Sequence, residues 1–306
     1  MKEAGTFTIS DATPVVRDGT GIKLVDCTIG QEIMSSFSGS RVILGDSSQL
    51  GPIAIKIQPA KRGVLREWEG LSRAYSAGIV VPQPICLATS EKGGLVLISR
   101  RITGRNLYSA VNTDNFLKLG TTIKDIQDHV AITGEEWALS GRADFSYFEK
   151  KLDLLRDKPI DEHVDEGHIK SLLNACATEV GNTFPQIKPV FTHHDIHNDQ
   201  VLVTKTNEQY LMDFEHWIES HPFHDIATYL FHTLRTLSPI EQYNEVLRGY
   251  SQKEPSIEKE QLVILFFLLL AAVNSVEFYR NNRREELPYA VEYLRRSVKY
   301  AEKQTS

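Results

Sequence analysis

Residues 190–203 read Val-Phe-Thr-His-His-Asp-Ile-His-Asn-Asp-Gln-Val-Leu-Val. Two short apolar runs, Val190-Phe191-Thr192 and Val201-Leu202-Val203, enclose a stretch that is polar except for Ile196. The pattern predicts two strands joined by a loop that displays imidazole, carboxylate and carboxamide groups at one point. A third apolar run, Tyr210-Leu211-Met212, ends on Asp213, 18 residues beyond Asp195. Carboxylates at neighbouring strand ends can converge on one site. One of them can accept a proton while the other offers hard oxygen ligands to a divalent cation.

Upstream the texture is that of a β-rich unit. Arg41-Val42-Ile43-Leu44 is rich in β-branched residues, Ile53-Ala54-Ile55-Lys56-Ile57 alternates, and strands are also expected at Ile22–Asp26, Val80–Ala88 and Leu95–Arg100. One helix is expected from Lys61 to Ala77, where Val64, Leu65, Trp68, Leu71 and Ala74 recur at helical spacing before Gly78. Lys56 sits mid-strand among apolar neighbours, a costly place for a charge unless it is paired or binds something. Glu67, 11 residues later on the helix, is the expected partner. Such a pair would hold the ammonium toward a phosphate. The small residues Ser38, Gly39 and Ser40 precede this strand and allow backbone N–H groups to approach an anion.

Ile102-Thr103-Gly104 reads as a linker, after which helices dominate. They are expected at 115–130, 145–156, 166–180, 223–237, 240–250, 258–278 and 287–304. The expected organisation is therefore α+β, with a small antiparallel β-rich lobe with one helix at 1–102 and a larger, mainly helical lobe at 103–306. A chain of 306 residues fits two such lobes, at roughly 150 residues per domain.

Composition excludes several classes. There are 34 basic and 40 acidic residues, so the formal charge is −6 and nucleic acid is not the expected partner. Apolar residues make up 41% and charged residues 24%, which excludes disorder as the dominant state. The three cysteines, Cys27, Cys86 and Cys176, form neither a disulfide framework nor a CxxC metal site. The first residues lack the apolar core of a signal peptide. The apolar run Leu262–Val273 has 12 residues, against about 20 for a membrane span, and reads as a core helix. A soluble, reduced, cytoplasmic protein without membrane partners follows as the expectation, with oligomeric state left open.

Taken together, the order is small-residue hairpin, strand lysine, helix glutamate, linker, His-x-Asp loop and Asp-Phe-Glu. This order resembles the aminoglycoside phosphotransferase and choline kinase-like superfamily, small-molecule relatives of the protein kinases. The family loop reads roughly H-G-D-[LI]-H-x-x-N, and His193, Asp195, Ile196 and His197 match it. The resemblance implies a protein kinase-like bilobal fold. It implies ATP or GTP as donor, Mg2+ as cofactor and a hydroxyl of a small molecule as acceptor. Asp195 would be the catalytic base, Asp213 the Mg2+ ligand and Gln200 the second ligand. Lys56 would hold the α- and β-phosphates, steadied by Glu67. His193 and Asp225 would support the loop. Ser38, Gly39 and Ser40 would lie along the phosphates, and Arg100 and Ile102 beside the adenine. His194 stands where the family has Gly, Gln200 where it has Asn, and the hairpin lacks a full G-x-G-x-x-G.

Only 12 residues separate Asp213 from Asp225, too few for the activation segment on which protein kinases dock a peptide, and no A-P-E follows. Two alternatives stay open. Gln200 fits a nucleotide-binding pseudokinase acting as sensor or scaffold. The histidines of 193–197, with His224 and Asp225, resemble an HD-type metal phosphohydrolase, an all-helical fold. Charge is uneven, net +3 over residues 1–102 and net −9 over 103–306. That field, with Asp161, Glu162, Asp165 and Glu166, would suit a cationic or amine-bearing acceptor, while the resemblance also admits a sugar-like one.

Overall fold

In a computed structural model the described residues are 13–14, 27–34, 40–47, 50–57, 61–89, 95–110, 112–134, 166–183, 188–251 and 260–305. Two compact units emerge, Met1–Ala110 with Asp199–Trp217, and Val111–Asn198 with Ile218–Ser306. The expected elements at 22–26 and 145–156 lie outside the described residues, as do Ser38, Gly39, Asp161, Glu162 and Asp165.

The first unit is built on a six-stranded antiparallel sheet. Its strands are β1 (Thr13–Pro14), β2 (Cys27–Met34), β3 (Arg41–Ser47), β4 (Gly51–Ile57), β5 (Pro84–Thr89) and β6 (Leu95–Arg100), in the order β1-β5-β6-β4-β3-β2. Alternation along β4 buries Ile53 and Ile55, which join Ile43, Val96 and Ile98 in one apolar cluster. Lys56 pairs with Val42 on one side and Leu97 on the other, so its strand is interior to the sheet. Period-2 geometry sends its side chain to the face opposite Ile55. The helix α1 (Lys61–Ser76) buries Val64, Glu67, Leu71 and Ala74, a stripe at helical spacing that carries one carboxylate among apolar neighbours.

A smaller sheet in this unit has the order β10-β9-β7, with β7 at Arg105–Asn106, β9 at Val201–Val203 and β10 at Gln209–Leu211. It aligns Gln200 and Asp213 at the ends of adjacent strands, where the Met212 N–H donates to the Gln200 carbonyl at 2.8 Å.

The second unit is mainly helical, with α2 (Thr113–His129), α3 (Glu166–Thr183), α4 (His224–Arg235), α5 (Ile240–Ser251), α6 (Gln261–Asn282) and α7 (Leu287–Thr305). Among its described residues one pair of strands, β8 (Val190–Thr192) and β11 (Ile218–Ser220), brackets the polar loop and leads into α4. Helices α2 and α5 cross at backbone contact. A Cβ on Gly120 would strike the Val246 carbonyl, and one on Gly249 the Leu117 carbonyl. Helix α6 runs 22 residues, longer than the 12-residue apolar run, and its best window has a mean hydropathy of 2.2. By length and composition it could cross a membrane, yet 67% of that window is buried inside the protein.

Candidate active site

Lys56 is the hub of the first unit. Its Nζ lies 2.7 Å from Glu67 Oε2, 2.6 Å from Asp213 Oδ1 and 3.4 Å from Glu215 Oε2, with only 13% of the side chain exposed. Burial by itself would lower the ammonium pKa. Attraction from Glu67, then Asp213 and Glu215, outweighs it and holds the group well above the ordinary lysine value. Three carboxylates share one cation, and the most buried of them bears the excess. Burial pushes the Glu67 carboxyl up to about 7 although Lys56 pulls it down. An interior-strand lysine of this kind is costly without partners, so the acidic ring is what makes the position tenable.

The 213–217 segment is fixed against α1 by a tryptophan clamp. Trp217 Nε1 donates to the Arg66 carbonyl at 2.8 Å, and Arg66 Nη2 donates back to the Trp217 carbonyl. The guanidinium carbons of Arg66 and Arg73 lie 4.8 Å and 4.6 Å from the indole centroid. Gly70 permits this approach, since a Cβ there would collide with Trp217 Cδ1. Glu67 is thereby held at the same point as Asp213 and Glu215. Asp213 itself is left-handed at φ 63°, ψ 65°.

Gln200 reaches the same point. Its Nε2 donates to Asp213 Oδ2 at 3.2 Å, so the extra methylene does not take the carboxamide away from the carboxylate. Oxygens of Glu67, Asp213 and Glu215 lie within 4.8 Å of one another. This hard-oxygen set, with the Gln200 amide beside it, has the donor chemistry that Mg2+ requires. Among the described residues it is the one cluster suited to a metal, and the histidines of the polar loop are not in it.

Of the other positions expected near a nucleotide, Ser40 is buried at the entrance to β3. Arg100 Nη1 donates to the Leu50 carbonyl, and Ile102 is half-buried. The 102–104 stretch has no helix or strand and exposes Thr103 and Gly104, although a Cβ on Gly104 would fall 2.7 Å from the Val203 carbonyl oxygen.

In the second unit, the fully buried Asp225 carboxylate organises the polar loop. It accepts from the His193 N–H at 2.9 Å and from the His194 N–H at 2.8 Å. Burial pushes this carboxyl up, while those two bonds stabilise its ionised form. The buried His193 accepts at Nδ1 from the Asp195 N–H at 3.3 Å. His194 adopts φ 68°, the region glycine favours, which accounts for the family's glycine at this position. Its ring stands edge-on to His224 at 4.5 Å. At the far end of the loop Asn198 accepts from the Tyr229 hydroxyl at 2.8 Å and donates to Gln242 at 3.3 Å.

Asp195 is thus displayed by a loop tied down at both ends. Its Oδ1 lies 3.4 Å from His232 Nε2 and its Oδ2 3.9 Å from His197 Nε2. The two imidazoles are 4.7 Å apart. Burial alone would raise the carboxyl pKa. The hydrogen bond and charge of His232, then His197 and His193, reverse this and hold it well below the ordinary carboxylate range.

A cavity of about 200 Å³ opens beside Asp195. One wall is the α4 face formed by His224, Thr228, Phe231 and His232, spaced i, i+4, i+7, i+8. Another is the α6 face of Phe267, Leu270, Ala271 and Asn274, spaced i, i+3, i+4, i+7. His194 and Ser220 complete the lining.

Four residues of these sites escaped sequence reasoning. Glu215 lies two residues beyond Asp213 and was visible only as part of the Asp-Phe-Glu triplet. Trp217 carried no motif. His232 falls two helical turns after Asp225, a spacing that could have signalled a shared site. Asn274 is a polar residue just past the apolar run of α6, on the helical phase of Phe267.

Comparison with known proteins fits this geometry. The phosphotransferase enzyme family model matches residues 30–261, a stretch holding both the Lys56 cluster and the Asp195 loop. No curated protein sequence is significantly similar to the chain. Solved structures share the fold at low identity. The GDP complex of aminoglycoside 2'-phosphotransferase-IIIa is 15% identical, with a TM-score of 0.63, covering 89% of this chain and 94% of that one. A Plasmodium vivax ethanolamine kinase is 16% identical, with a TM-score of 0.62 and coverage of 91% and 83%. A choline/ethanolamine kinase family protein of Mesorhizobium loti is 12% identical, with a TM-score of 0.61 and coverage of 90% and 88%. This kinase-like fold, with a β-sheet unit, is incompatible with the all-helical HD-type phosphohydrolase. Matched by the family model over most of its length, the chain belongs to the phosphotransferase enzyme family.

Proposed function

We propose that this protein moves the γ-phosphoryl group of ATP, or of GTP, to a hydroxyl of a small molecule. The observation that carries the reading is the Lys56 ammonium, held 2.7 Å from Glu67 and 2.6 Å from Asp213. Lys56 binds the α- and β-phosphates, and Glu67 aims it. Asp213 and Gln200 hold Mg2+, which neutralises charge on the phosphate oxygens when bound. Ser38, Gly39 and Ser40 lie along the phosphates, and the backbone around Arg100 and Ile102 contacts the base.

Asp195 orients the acceptor hydroxyl and accepts its proton as the new O–P bond forms and the bond to the bridging oxygen of the nucleotide breaks. His193 and Asp225 hold the loop that presents it. No covalent enzyme intermediate is needed, so rate comes from positioning and charge neutralisation. Burial of two thirds of the apolar stretch of α6 supports its reading as a core helix rather than a membrane span.

The test is transfer of label from ATP to a panel of hydroxyl acceptors, with Asp195→Asn as the blank. Label above that blank is expected. Lys56→Ala and Asp213→Ala should each weaken the thermal stabilisation given by Mg-ATP. Nucleotide binding without transfer to any acceptor would instead establish a sensor or scaffold, the reading that the Gln200 replacement favours.

A further inference from the structure

Lys56 is the internal cation of an acidic cluster. We propose that its ammonium competes with a divalent ion for Asp213, so that nucleotide phosphates, by drawing the ammonium off that carboxylate, raise the affinity of the cluster for Mg2+. The inference rests on the reading of Lys56 as the phosphate contact and Asp213 as the metal ligand, and it adds a coupling between the two.

Charge gives the first argument. Oxygens of Glu67, Asp213 and Glu215 lie within 4.8 Å of one another, close enough to converge on a hard dication. Lys56 Nζ already contacts all three acids, at 2.7 Å, 2.6 Å and 3.4 Å. The ammonium cancels one negative charge of the cluster and would lie within a few ångströms of a second cation on the same oxygens. Only 13% of the Lys56 side chain, 7% of Glu67 and 11% of Glu215 is exposed, so water screens that repulsion poorly. Lone pairs do not limit the site, since a carboxylate offers about four acceptor positions. The competition is one of charge.

Asp213 is where the competition is settled. It is the most exposed of the three acids, at 26%, and it makes the shortest contact with the ammonium. An ion arriving from solvent meets this carboxylate first. Its second oxygen accepts from Gln200 Nε2 at 3.2 Å, so both oxygens face N–H donors. A carboxamide ligates a cation through its oxygen, and here it presents the opposite end. Asp213 cannot readily turn aside, because the segment it opens is clamped to α1 through Trp217 and Arg66.

Lys56 can yield. Its stem is flexible, and its ammonium carries three donors. Glu67, buried on the clamped helix, keeps one donor while a phosphate takes the one that Asp213 holds. Mg2+ dehydrates reluctantly and is commonly held by one or two carboxylates together with substrate phosphates. The nucleotide thus supplies the anion that replaces Asp213 as partner of the ammonium. Coupling between two ligands is reciprocal, so the affinities for phosphate and for the ion rise together.

The test uses Mn2+ and Mg2+ with the full chain and no nucleotide. Binding of Mn2+ is read from the spin-resonance signal of the free ion. Lys56→Met should bind Mn2+ about tenfold or more tighter than the unaltered protein, whereas Lys56→Arg should not. Lys56→Met combined with Asp213→Asn should lose that gain. In the unaltered protein, Mg2+ alone should speed acylation of Lys56 by an amine reagent severalfold, read by mass spectrometry, because the displaced ammonium loses a carboxylate partner. Equal Mn2+ affinity in Lys56→Met and the unaltered protein, a gain that survives Asp213→Asn, or an acylation rate that Mg2+ leaves unchanged would overturn the inference. Any of these alongside label transfer from ATP would leave the kinase reading intact. The expected results with no label on any acceptor would keep the coupling and sink the kinase reading.

Discussion

His232 Nε2 lies 3.4 Å from Asp195 Oδ1, joining the residue two helical turns after the loop anchor Asp225 to the carboxylate that the loop displays. His232 is a positioning residue in this arrangement, and it also favours the ionised carboxylate. In the proposed role Asp195 is ionised so that it can accept a proton, and its imidazole neighbours hold its pKa down. His232→Ala should therefore move the acidic limb of the pH profile of kcat/KM to higher pH and lower kcat about tenfold through lost alignment. His232→Gln should restore alignment but leave the acidic limb raised. An unchanged acidic limb in the alanine variant would remove His232 from this role.

His194 pays for its place with a left-handed backbone, which costs a non-glycine residue about 1–2 kcal/mol. His194→Gly should raise thermal stability by up to about that amount, less the lost ring contact with His224. The same change removes a cavity wall, so KM for the acceptor should rise more than kcat falls. A loss of stability would mean that the imidazole contacts outweigh the backbone strain.

Gly70 and Trp217 make a steric prediction for the first unit. Gly70→Ala forces α1 away from the indole, an overpacking change that typically costs about 1–3 kcal/mol. Glu67 would be displaced along with the helix, so Mg-ATP should protect the variant less in a melting assay. Unaltered nucleotide protection would show that the clamp does not set the position of Glu67.

His221 predicts the response of stability to acid. Burial pushes its imidazole down to about 3 from an ordinary 6.5. The unfolded chain therefore binds a proton between those values that the folded chain refuses, and stability falls as pH drops below 6.5. Between pH 7 and pH 5 this amounts to about 2 kcal/mol. Urea titrations should show that slope in the unaltered protein and a flatter one in His221→Asn, whose amide can still accept from the Phe223 N–H as His221 Nδ1 does at 3.2 Å.

Much of this was legible before any coordinates, and the reason is local. Period-2 alternation placed β4 and Lys56, and the apolar spacing placed α1 and with it Glu67, although Leu65 and Trp68 of the expected stripe are only half-buried and Glu67 lies inside. The apolar runs around 193–200 announced a loop between strands. Contacts that join distant positions left no such trace. Lys56 meets Glu215 across 159 residues, and Arg66 meets Trp217 across 151. No periodicity links such pairs. Val203 likewise comes up against Gly104, a partner about a hundred residues away. His194 read as a simple replacement of glycine, whereas its backbone retains the glycine conformation and its ring becomes a wall.

Helix α4 carries two kinds of information along its inner side. Asp225 gives the 193–198 loop its footing, while His224, Thr228, Phe231 and His232 shape what can rest beside it. A lineage, or a library confined to positions 224, 228 and 231, could explore new acceptors without loosening the machinery that transfers phosphate. Substrate range in this scaffold is thus free to drift while its chemistry stays put.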